Sequence, residues 1–221
     1  MQSAEAKFHS TVVGFLVPLL VLGVVKLAPL FATLSASFLV AGTIAAALAS
    51  AGSYKLLSLA LAKLLRKSEW LKRFILGPSY LNGTWVGWFI GHNKDVRYIV
   101  EVFEQDLGGV NTRGMSFNEA GETHGEWRSE ATLIDSVKGQ LLYTCSADIL
   151  TADVPFRSVA LFNFERRRPD DPPYALDGHV ADVHDGVRLE IREVKVSSTL
   201  LGFREALPQA REIRRQAKGG P

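Results

Sequence analysis

Between Thr11 and Tyr54 the chain carries a single charged side chain, Lys26, and after Gly77 its character changes completely. A helical crossing of the hydrocarbon core takes about 20 mostly apolar residues, so the run suffices for two spans and is too long for one. It predicts a two-pass anchor over residues 1–76, with helices at about 8–26 and 35–57, joined to a soluble domain over residues 77–221. Lys26, Pro29 and Thr33 mark the turn between the spans. Ala47, Leu48 and Ala49 resemble a signal-peptidase site, but the apolar run far exceeds the 7 to 15 or so residues of a signal h-region.

Charge orients the anchor. Residues 1–78 hold eight Lys and Arg against two Asp and Glu, whereas residues 79–221 hold seventeen against twenty-one. Lys63, Arg66, Lys67, Lys72 and Arg73 follow the second span, and the short turn has only Lys26. The positive-inside rule then places both termini and the soluble domain in the cytoplasm, with a multi-pass anchor in the cell membrane. The lone Cys145 rules out an internal disulfide framework. A mildly acidic soluble domain lacks the global field that binds DNA or RNA polymers.

The two spans differ in texture. The first is rich in Leu and Val, whereas the second repeats small residues at Ala41, Ala45, Ala49 and Ser53. Such a stripe lets helix backbones approach closely, either within the chain or between protomers of a homo-oligomer. Apart from His9 at the start of the first, neither span contains Asp, Glu, Arg or His, so no ion path is marked.

Beyond Gly77-Pro78-Ser79 the apolar period shifts to alternation, predicting strands over 82–90, 97–105, 110–118, 127–134, 139–146, 157–166, 174–183 and 187–196. Turn-forming clusters separate them. Eight short, evenly spaced strands predict an antiparallel barrel or sandwich, and eight strands enclose an interior that is filled or holds one small ligand. Pro208 at a first helical turn predicts a short helix over 208–217. Within the first strand, Gly83-Thr84-Trp85-Val86-Gly87-Trp88 places its tryptophans on opposite faces, and a tryptophan inside a barrel serves as a plug.

Two apolar spans, a basic connector and a strand-rich domain opening with Gly83-Thr84-Trp85-Val86-Gly87 resemble the two-transmembrane, β-strand-rich effectors of bacterial CBASS anti-phage systems. The resemblance implies an eight-stranded β-barrel that senses a cyclic di- or oligonucleotide made by a partner CD-NTase. It further implies ligand-promoted oligomerisation and disruption of the inner membrane, ending in abortive infection. Such a ligand needs aromatic faces for its bases and cations for its phosphates. Tyr98, Trp127 and Tyr143 are the expected stacking residues, and Arg113 and Arg157 the expected phosphate contacts. Each shares strand parity with apolar neighbours, Met115 and Phe117 for Arg113, Val159 and Leu161 for Arg157.

A rival reading is a membrane-anchored, lipocalin-like barrel for an apolar small molecule, with an aliphatic interior and few converging cations. A third is an anchor with a filled barrel. No nucleophile elbow, zinc-binding His pair, P-loop or cysteine pair is present, so no enzymatic activity and no cofactor is expected. His179, Asp182, His184 and Asp185 fit neither one helix face nor one strand face, so no metal site is expected. Arg166-Arg167-Arg168 reads as a solvated loop edge.

Overall fold

The computed structural model describes residues 4–31, 52–65, 67–91, 93–149, 156–184 and 186–218. The chain divides into two compact units, Met1–Ile75 and Leu76–Pro221.

The first unit is helical. Helix α1 (Ala4–Phe31) is followed by α2 (residues 52–65) and α3 (Glu69–Leu76). α1 contains one window, Ala6–Gly23, long and apolar enough to cross a membrane, with a mean hydropathy of 1.6. Its Phe15, Leu19, Val21 and Leu22 are exposed, as membrane association requires. The helix continues past Lys26 and Pro29 to Phe31, so the turn expected at those residues is not there. The N-terminal turns of α1 are tied within the unit. His9 Nδ1 lies 2.5 Å from the Tyr54 hydroxyl, and the Lys7 ammonium donates to the Phe74 carbonyl at 2.5 Å. In α3, Trp70 stacks on Phe74 with both rings exposed, while Ile75 and Leu76 are buried. Most of the second expected span lies outside the described residues, including Ala41, Ala45 and Ala49; Ser53, the last of the small-residue stripe, is an exposed residue of α2.

The second unit is a closed antiparallel barrel in sequence order: β1 (Gly83–Ile90), β2 (Val96–Asp106), β3 (Gly109–Phe117), β4 (Thr123–Asp135), β5 (Gln140–Ile149), β6 (Phe156–Glu165), β7 (Ala175–Asp182) and β8 (Arg188–Ser197). β8 closes the sheet on β1, with Val86 opposite Val194 and Gly87 opposite Glu193. Alternation sets the two faces. Trp85, Phe103, Leu141, Phe162 and Leu176 turn inward and fill the end where the chain enters. Trp85 is fully buried there, its indole N–H donating to the Leu81 carbonyl at 2.8 Å, so the expected plug is in place. Charged residues recur on the outer surface, as at Glu104, Arg128, Arg157 and Glu190, unlike the apolar band of a membrane-spanning barrel.

One outer sector is apolar and is covered by α4 (Phe203–Lys218). Phe203, Ala206, Leu207, Ala210 and Ile213 recur at helical spacing and pack on Val86, Tyr98, Val100 and Phe117. The helix begins five residues before the expected start at Pro208, which sits in its second turn. Gly202 is its start: the Gly202 N–H donates to the Glu205 carboxylate at 3.2 Å, half of a capping box. Arg214 pins the far end by donating to the Tyr98 hydroxyl at 3.0 Å and to Glu119 at 2.9 Å.

Candidate functional site

Close packing stops partway along the barrel. Toward the end formed by the β1–β2, β3–β4 and β7–β8 turns, the inward positions shrink to Ser116, Gly125, Ala147 and Ser158, leaving a cavity of about 300 Å³. That volume lies at the small end of ligand pockets. Phe89, Ile99, Cys145, Val180, Leu189 and Ile191 make its walls largely apolar; Asp95, Arg97, His124, Glu126 and Asp182 stand toward the mouth.

Two carboxyl groups form the floor. Glu101 on β2 and Glu193 on β8 point inward from the strands flanking β1 and are 0% and 1% exposed. Space between them comes from Gly87 of β1: a Cβ at that position would meet the Arg192 carbonyl oxygen at 2.4 Å and Glu193 Cγ at 3.0 Å. Glu101 Oε1 accepts from the Trp127 indole N–H at 2.5 Å and from the Tyr143 hydroxyl at 2.7 Å. Among the described residues, no group outside the pair hydrogen-bonds the second oxygen, Oε2, of either glutamate.

Burial raises the titration of both carboxyls, and the charge of Glu101 raises that of Glu193 further. The pair therefore retains one shared proton at pH values where an exposed carboxyl is ionised. Burial likewise pushes the Cys145 thiol up to about 12, helped by the charges of Glu101 and Glu130, so it lines the wall as a neutral group. His124 is held below the ordinary imidazole range by burial and by Arg97, against the opposing pull of Asp95.

These shifts fix the sign of a pH dependence. Between the titration of an unfolded carboxyl, about 4.5, and the raised folded values, the native pair binds more protons than the unfolded chain. Stability contributed by the pair is present at low pH and is lost as pH rises through that window, by about 1.4 kcal/mol per pH unit for each proton retained. Chemical denaturation of the full chain between pH 5 and 8 should show this decline. Glu193→Gln should flatten it; an unchanged profile in the variant would place the linkage elsewhere.

Of the five expected ligand contacts, Trp127 and Tyr143 reach the cavity. The Trp127 indole lies over Gly114 of β3, where a Cβ would come within 2.0 Å of the ring. The other three turn outward. Tyr98 is buried under α4, Arg113 is exposed on the outer face of β3, and the Arg157 side chain is 74% exposed, 4.0 Å from Glu130. The cavity draws instead on Arg97, which is ion-paired with Asp95, and on the two glutamates that the sequence reading passed over.

His179 lies on the outer face of β7 opposite Glu190, and among the described residues no cluster of three or more His, Cys, Asp or Glu is arranged to hold a metal. Arg166 is a structural tie, donating to the Pro78 carbonyl at 2.8 Å, whereas Arg167 and Arg168 are exposed. No family model matches the chain, nor does any curated protein or solved structure.

Proposed function

We propose that this chain is a membrane-anchored sensor whose barrel takes one small molecule into the cavity above Glu101 and Glu193. The observation that carries this reading is the abrupt change from a packed end to an apolar sleeve with an unsatisfied acidic floor. A barrel serving only as a structural element would continue its core to both ends.

For the ligand, we keep the class implied by the CBASS resemblance, a cyclic di- or oligonucleotide made by a partner CD-NTase, with a changed mode of binding. One base enters the sleeve beside Trp127, and the phosphates stay at the mouth near Arg97. Carboxyl oxygens suit the N–H edge of a base and repel phosphate. Binding favours an oligomer, through which the N-terminal helices disrupt the inner membrane and abort infection. The second reading, an apolar metabolite in a lipocalin-like barrel, is favoured by the aliphatic walls and by the absence of Arg113 and Arg157 from the cavity.

The test uses the full chain in detergent, titrated with cyclic di- and trinucleotides and with a medium-chain fatty acid, following tryptophan fluorescence and melting temperature. At about a hundredfold excess over Kd, a ligand of the native state adds about 2.7 kcal/mol, or roughly 5 to 10 °C. A shift with one cyclic nucleotide, lost in Trp127→Ala, is expected. A shift with the fatty acid alone would replace the nucleotide reading with the second one.

A further inference from the structure

We propose that the cavity floor recognises an amidine-type edge, two parallel N–H donors on an apolar or aromatic body, with one donor to Glu101 and one to Glu193. The proposal rests on the reading of the cavity as a ligand site and goes further by naming the chemistry that the site selects.

The acceptors already engaged define what is left for a ligand. Glu101 Oε1 is saturated by Trp127 and Tyr143, which hold the carboxyl in one orientation. Apart from the proton that the pair shares, no donor among the described residues meets the Oε2 atoms of Glu101 and Glu193, each buried and on residues facing the cavity. A buried acceptor left unmet is costly, more so when it is charged, and a donor supplied by a ligand recovers that cost. An ionised carboxylate only accepts, so its complement has N–H or O–H groups. Two acceptors on neighbouring strands match two donors on one planar edge better than a single hydroxyl.

The other charged and titratable groups around the pair do not replace the ligand. On β2, Arg97 lies two pairs of residues nearer the mouth and is engaged by Asp95. β4 and β5 present Trp127, Tyr143 and the neutral thiol of Cys145. On β8, the ammonium of Lys195 lies 4.0 Å from the centre of the Tyr80 ring, toward the packed end. His124, Glu126 and Asp182 stand toward the mouth, and Glu130 lies on β4 beyond Trp127.

An amidine edge has two sources, a free amidinium or the neutral edge of a guanine ring, and pH separates them. An amidinium entering between the carboxyls drives their shared proton into solvent, so its affinity rises with pH below the titration of the pair. A neutral guanine edge leaves one proton on the pair, and its affinity stays flat.

The experiment titrates the full chain in detergent with benzamidine, guanosine and ethylbenzene at pH 6 and 8, by calorimetry and tryptophan fluorescence. Benzamidine or guanosine should bind at least about tenfold more tightly than ethylbenzene, and Glu101→Gln/Glu193→Gln should erase that advantage in a variant that still melts cooperatively. Ethylbenzene binding as tightly as both, or an unaltered preference in the folded double variant, would overturn the amidine proposal and leave the cavity a ligand site. If none of the three binds and the nucleotide and fatty-acid titrations are also silent, the cavity reading itself falls.

Discussion

Replacing Trp85 with alanine should cost about 3 to 5 kcal/mol, the usual range for removing a large aromatic side chain from a core. The loss has several parts. The ring is 0% exposed and meets the Phe103 ring edge to face at 5.8 Å, so truncation opens a cavity between residues locked into a closed sheet. It also strands the Leu81 carbonyl, which accepts from the indole, and removes one of the two aromatic faces near the Lys195 ammonium. A melting temperature roughly 10 °C lower in the full chain is the expected readout. A drop of only a degree or two would mean that the packed end tolerates a void, contrary to its role as the rigid base beneath the cavity.

Gly178→Ala should be about as damaging, although it adds only a methyl group. On β7, directly across from Phe162, a Cβ at this position would lie 2.0 Å from the Leu161 carbonyl oxygen and 2.7 Å from the Phe162 Cα. Both obstacles are backbone atoms in a paired strand, so no side-chain rotation relieves the collision. Local unpairing of β6 from β7 is the only outlet, and a cost of about 3 kcal/mol or more follows. Gly186→Ala is the matched control in the β7–β8 turn: its Cβ would meet nothing within 4 Å, so its loss should be limited to the strain of a φ of +69°. Equal destabilisation by the two changes would show that conformation, and not crowding, governs these glycines.

The strands were legible because alternation and turn clusters mark the edges of a sheet whatever its closure. Which face points inward was not legible on β2, where Tyr98 through Phe103 are all buried. α4 covers the outside of that strand, so Tyr98 and Val100 look as core-like as Ile99 and Phe103. The clue that resolves it is Glu101: a carboxylate in a doubly buried strand points either to a functional interior or to a tertiary partner. The arginines misled for a related reason. A cavity requires small inward residues, so on β6 the inward Ser158 and Ala160 look less core-like than the outward Val159 and Leu161 that share parity with Arg157. On β3, Met115 and Phe117 are apolar because the helix lies near them, and Arg113 shares their outward parity. The helix itself announced its true start through Phe203, Ala206, Leu207 and Ala210, a periodicity overshadowed by Pro208.

The closure of the barrel also sets an order of assembly. Every strand pairing but one joins neighbours in sequence, and the exception, β1 with β8, brings Thr84 to Ser197. Short hairpin loops close at little entropic cost, whereas this seam must close a loop of more than a hundred residues, making it the slow contact of the topology. Glu193 arrives beside Glu101 only with that last seam, so the cavity floor is absent from any partly zipped sheet. A compound gripping the floor therefore acts as a latch on the finished barrel, lengthening its lifetime without helping to build it.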